Sequence, residues 1–338
     1  MTIKDIAKHF NISPSMVSRA LSGAGYVKAD KRQAIIAYAR EHHFQISSTA
    51  SALKKGSKDI VGILTPWTTF NQIDFLSSLM NMLARNGKTY RVEFGCGAEN
   101  VERLIAAPVE QILAVNIHQN QYQAVLQAQK NGIKVLNIMG YCENVPAIRP
   151  FHGRAFLKCF EMLYNAGHRH IGYAGIDFNL QSDEIQFDYR WQVKKIVDEI
   201  AGKYNIYFAP EDQFFFQQDG YKCDEEKLIE FLKKRRHTAM IVWTEQMQTA
   251  VYAACRKIGL KIPHELSLAG IGGNFMLNGF DPPLTHYRFD YDELLKRTEF
   301  FVNNPEEIPF YQEVDFKYYP GESIEQLKNL LISPIVEE

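Results

Sequence analysis

Residues 13–23 read Ser13-Pro14-Ser15-Met16-Val17-Ser18-Arg19-Ala20-Leu21-Ser22-Gly23. Serine is a strong helix N-cap, proline suits the first helical turn, and Ser22-Gly23 supplies a stop. On so short a helix Pro14, Ser15 and Arg19 fall toward the amino-terminal end of one face. An arginine there can donate two hydrogen bonds to the major-groove edge of a guanine. Lys4, Ser18 and Lys31 flank that face and suit phosphate oxygens, which position a protein on DNA without reading it. The chemistry is recognition, not bond making.

Other reactive residue types do not assemble into motifs. No GxGxxG or GxxxxGK[ST] loop follows a strand, and Gly270-Ile271-Gly272-Gly273 lacks the helix-start lysine of a phosphate loop. There is no GxSxG elbow, and Ser267 falls inside a predicted strand. His168 and His170 form an HxH pair on a turn with no further ligand motif, and the five cysteines (96, 142, 159, 223, 255) have no metal-knuckle or disulfide spacing. Neither a cofactor nor a metal is expected, and catalysis is not. The reading kept open outside recognition is a sugar-phosphate enzyme of α/β fold.

The elements that would carry the recognition face are legible. A first helix opens at Thr2, buries Ile3, Ile6 and Ala7, and ends near Phe10-Asn11. The second begins at Pro14, and a third over 31–42 contributes Ile35, Ile36, Tyr38 and Ala39 to a miniature core. Two short helices joined by a three- or four-residue turn form a helix-turn-helix. Charge marks the same boundary. The whole chain of 338 residues carries −1, but residues 1–60 hold ten Lys/Arg against four Asp/Glu, or +6. The other 278 residues hold 28 against 35, or −7. A basic head on an acidic body is the footprint of an appended nucleic-acid module.

Beyond residue 59 the pattern alternates. Strands are expected at 60–64, 90–94, 112–117, 135–139, 171–175, 240–243 and 266–271, with helices such as 73–85 and 155–165 stopped by Gly87 and Gly167. Such β-α alternation with Val/Ile/Leu-rich strands predicts parallel sheets covered on both faces. Two units with a crossover near 160–166 would make a clamshell. No apolar run reaches membrane-spanning length and the first residues lack a secretion signal, so a cytoplasmic, nucleoid-associated protein with no membrane partner is expected.

Thr2-Ile3-Lys4-Asp5-Ile6-Ala7 followed by Ile12-Ser13-Pro14-Ser15-Met16-Val17-Ser18-Arg19-Ala20-Leu21-Ser22-Gly23 resembles the DNA-binding head of the lac repressor/galactose repressor family. The likeness continues through Gly259-Leu260-Lys261-Ile262-Pro263, Pro282-Pro283-Leu284-Thr285 and Tyr319-Pro320-Gly321. It implies a helix-turn-helix domain (1–45), a hinge (46–58) and a two-lobed, periplasmic-binding-protein-like body (59–338). The first lobe would comprise 59–163 and 290–307, the second 164–289 and 308–338. Ala166-Gly167-His168-Arg169-His170-Ile171 resembles the family's linker into the second lobe, and 95–108 is short enough to trim one helix.

The resemblance implies a homodimer on pseudo-palindromic double-stranded DNA, repressing a carbohydrate-related operon. Base reading falls to Pro14, Ser15 and Arg19. Met16 replaces a small hydroxyl residue and removes one backbone contact. Leu53 would wedge into the minor groove with Lys54 on phosphate. In the body, the resemblance implies an effector cleft lined by Trp67, Phe70, Arg149, Arg190, Trp243, Gly272 and Asn274. The family's Gly-Phe-Asp-Asp is Gly270-Ile271-Gly272-Gly273 here, and its first-lobe aspartate aligns near Arg149. Two arginines without a carboxylate would favour an anion such as a sugar phosphate. A degenerate cleft in an effector-independent regulator is the alternative.

Overall fold

The computed structural model describes residues 3–22, 27–41, 60–65, 70–140, 142–178, 190–216, 223–273, 277, 279–307 and 309–327. The chain divides into two units, Met1–Asp59 and Ile60–Glu338.

In the first unit, α1 (Ile3–His9), α2 (Pro14–Ser22) and α3 (Ala29–Glu41) close over one small core. Ile6, Ala7, Val17, Ala20, Ile35 and Ala39 are buried in it, with Tyr38 half-buried at its edge. The turn works as its residues dictate. Asn11 takes φ 46°, a left-handed conformation that asparagine tolerates, and Ile12 N–H returns to the Ala7 carbonyl at 2.9 Å. Ser13 then starts α2, its hydroxyl accepting from Met16 N–H at 3.3 Å.

The second unit holds two six-stranded sheets. In the first, β1 (Ile60–Thr65), β2 (Thr89–Phe94), β3 (Gln111–Val115), β4 (Lys134–Ile138), β5 (Ala147–Pro150) and β11 (Tyr311–Val314) lie in the order β11-β5-β4-β3-β1-β2, all parallel. In the second, β6 (Ile171–Gly175), β7 (Gln213–Phe215), β8 (Ala239–Trp243), β9 (Ser267–Ile271), β10 (Thr285–Phe289) and β12 (Phe316–Tyr319) lie in the order β12-β10-β9-β8-β6-β7, parallel except for β12.

Helices cover both faces, as strands buried on both sides require. On the first sheet α4 (Phe70–Arg85) and α11 (Tyr291–Asn303) take one face, and α5 (Ala98–Ile105) and α6 (Tyr122–Lys130) the other. On the second, α7 (His152–Asn165) and α8 (Arg190–Tyr204) oppose α9 (Glu225–Lys234) and α10 (Glu245–Ile258). The expected stops are in place, with Gly87 at φ 68° and Gly167 at φ 99°. Helix α5 has 8 residues.

The lobes are divided differently from the sequence expectation. The chain crosses between sheets at 150–152, 289–291 and 314–316, where 163/164, 289/290 and 307/308 were expected. α7 carries an apolar stripe (Ala155, Phe156, Cys159, Phe160, Leu163) that packs on Tyr173, Ile241 and Ala269, so it belongs to the second lobe. β11 pairs with β5, so it belongs to the first. Residues 166–170 are consequently a turn within the second lobe that leads into β6, with His168 buried and its Nδ1 2.9 Å from the Thr238 hydroxyl.

Candidate DNA-reading face and interlobe site

On α2 the burial alternates as a recognition helix needs. Val17 and Ala20 face the core, while Pro14, Ser15, Met16 and Arg19 are exposed together. Ser15 shares a 2.8 Å hydrogen bond with Ser13, which fixes its hydroxyl over the helix start. Met16, an apolar side chain 38% exposed, shares the first turn of α2 with Pro14. The pair offers apolar contact at the end that would enter a groove. Lys31 is exposed on α3. Lys4 and Ser18 sit on α1 and α2 by backbone. Leu53 and Lys54 lie outside the described residues.

In the body, ligands of open parallel sheets bind beyond the carboxyl ends of the strands. Of the residues expected there, Trp67 and Asn274 lie outside the described residues, and Phe70 opens α4. Arg190 opens α8, half-buried. Gly272 follows β9 at φ 82°. Trp243 ends β8 but is only 4% exposed. Its ring stacks on His152 at 5.3 Å, and His152 in turn meets Phe289 edge-on at 5.4 Å and Phe316 at 5.5 Å. Burial pushes the His152 imidazole down to about 3, so the ring is neutral. Trp243 is therefore built into an aromatic cluster at the crossovers.

Arg149 lies on β5 of the first lobe. Its guanidinium lies 4.7 Å over the ring of Tyr311, at the start of the neighbouring parallel strand, and acts on the Cys142 thiol, both first-lobe groups. A further group of charged residues surrounds Tyr291. Glu245 in the first turn of α10, Arg288 on β10 and Asp74 on α4 each lie within electrostatic reach of the Tyr291 phenol at the start of α11. Burial pushes the Tyr291 phenol up, Glu245 and Asp74 add to this, and Arg288 opposes it. Glu245 was missed because a first-turn acid looks like an ordinary helix-dipole partner. Its place directly after the Trp243 strand end was the available signal.

Among the described residues, no group of three or more His, Cys, Asp or Glu could hold a metal ion. No helix among them is long and apolar enough to cross a membrane.

Residues 2–47 match the model of bacterial regulatory proteins of the lacI family, and residues 160–297 match a periplasmic binding protein-like domain. A similar curated protein is the HTH-type transcriptional repressor PurR of Histophilus somni, 22% identical over 84% of this chain and 86% of its own. Among solved structures, the lac repressor dimer bound to operator and the anti-inducer ONPF has a TM-score of 0.66 at 16% identity, covering 96% of this chain and 99% of that one. The LacI family regulator CCPA of Weissella paramesenteroides with bound glucose has a TM-score of 0.67 at 15% identity, covering 80% and 100%.

Proposed function

The chain belongs to the lacI family of bacterial regulatory proteins, and from that premise we propose that it is a sequence-specific transcription repressor working as a homodimer in the cytoplasm. The observation that carries this reading is the exposed group Pro14, Ser15, Met16 and Arg19 on a helix whose opposite face closes a three-helix core. Two such heads dock in successive major grooves of a pseudo-palindromic operator. The 46–58 hinge orders on the DNA between them, with Leu53 opening the minor groove and Lys54 on phosphate. A small effector between the lobes shifts their relative angle and so the DNA affinity. A neutral, hydroxyl-rich effector is favoured, because the carboxylates Glu245 and Asp74 stand near Tyr291. The bound glucose of the similar CCPA structure points the same way. No catalytic step is assigned.

A second reading, a regulator that responds to no effector, is favoured by one observation, the packing of Trp243 into the crossover cluster. Selection of genomic fragments by the full chain tests the first claim. A two-fold symmetric motif is expected, and recovery of unrelated fragments would contradict it. Titrating glucose and ribose into the operator complex separates the two effector readings. A change in DNA affinity of about 5-fold or more supports an effector, and no change supports the second reading.

A further inference from the structure

Gly272 adopts φ 82°, a conformation that L side chains rarely take, so an aspartate here would be strained. A Cβ built on Gly272 would stand 3.4 Å from Oε2 of Glu245 and 4.0 Å from Cα of Thr244, with no nearer atom. The space that a carboxylate on the end of β9 would enter is thus bordered by a carboxylate delivered from α10. Two carboxylates so close would repel each other, and position 272 carries none.

Polar groups of both lobes lie near this end of the second sheet. Arg288 stacks on Tyr319 at 4.2 Å and donates to its hydroxyl, while its buried Nε has no hydrogen-bond partner among the described residues. Buried donors are normally satisfied, by protein, water or ligand. Tyr291, from the first lobe, is within reach of both Glu245 and Arg288, and its phenol is held neutral. Acceptor, donor and hydroxyl therefore come from both lobes to the ends of β8, β9 and β10.

We infer that Glu245, with Arg288 and Tyr291 beside it, is the specificity-determining residue of the interlobe site, accepting hydroxyl hydrogens of the effector in place of a side chain at 272. The inference rests on the effector reading above. A carboxylate only accepts, and its two oxygens suit a pair of neighbouring hydroxyls. A phosphorylated ligand would meet Glu245 and Asp74 at like charge.

Calorimetric titration of the full chain with glucose, ribose, cellobiose and glucose 6-phosphate tests this. Glu245→Gln keeps shape and loses charge. It should weaken the neutral sugar that the wild type binds by at least 10-fold and leave glucose 6-phosphate no weaker. Glu245→Asp keeps the charge and the helix-dipole contact but withdraws the oxygens, and should also weaken the neutral sugar. Its unchanged melting temperature would separate ligand contact from folding. Unchanged sugar affinity in both variants, or equal weakening of sugar and sugar phosphate, overturns the role of Glu245 while leaving the effector site standing. Wild-type binding of glucose 6-phosphate alone overturns it as well. If no sugar binds the wild type, the effector reading falls and this inference with it.

Discussion

The indole of Trp243 stacks on the imidazole of His152 with centroids 5.3 Å apart and planes 29° from parallel. Trp243 ends a second-lobe strand, and His152 is the first helical residue after the chain leaves the first lobe. Phe289 and Phe316, which complete the cluster, flank the other two crossovers. One aromatic group thus ties the strand ends to every passage between the lobes.

Trp243→Ala should therefore destabilise the ligand-free chain by about 3–5 kcal/mol, the usual cost of emptying a buried aromatic site. Denaturant unfolding measures it. An indole serving only as a ligand platform would leave the ligand-free stability unchanged.

The same histidine makes stability depend on pH. His152 has a folded pKa of about 3, and burial also lowers His168, His237 and His286. In the unfolded chain each titrates near its usual value of about 6.5. Between these limits the unfolded state binds more protons, so stability is full above about 6.5 and is lost as pH falls. Each fully neutral histidine contributes up to about 1.4 kcal/mol per pH unit in that window. Urea midpoints at pH 7.5, 6 and 5 should fall in that order, and His152→Phe should flatten the decline.

On the DNA side, Arg19→Ala should cost about 1–3 kcal/mol on the selected operator and relax one base position. Lys31→Ala should weaken all sequences alike and reduce the log–log salt slope by about 1. Fluorescence anisotropy over a salt series separates the two effects. Equal loss from Arg19→Ala on random DNA would remove its base-reading role.

Pro14 and Met16 make the start of α2 apolar. Replacing a thymine that either one covers by uracil should lose one buried methyl, about 0.8 kcal/mol or fourfold in affinity. Footprint-guided substitution, one thymine at a time, locates it.

The head was legible because its signals are local. Ser13-Pro14 fixes the start of α2, and Val17 with Ala20 fixes its buried face, within a few residues of sequence. The alternation of the body was legible for the same reason. What escaped depends on distant partners. The stripe on α7 would suit either sheet, and only its packing on Tyr173 and Ile241 assigns it. Arg149 stacks on Tyr311, whose strand β11 lies about 160 residues further along the chain, so no local signal announces the contact. The short strands β5, β11 and β12 have too few residues to show a period. The glycine at 272 read as a lost carboxylate, since the approach of Glu245 exists only once β9 and α10 are folded side by side.

The central claim is that the exposed face of α2 reads sequence. Its most direct measurement is the affinity of the full chain, at one salt concentration, for the selected operator and for a scrambled duplex of equal length. A specific site should be bound at least about 10³-fold more tightly. Equal affinity for the two duplexes would contradict the account.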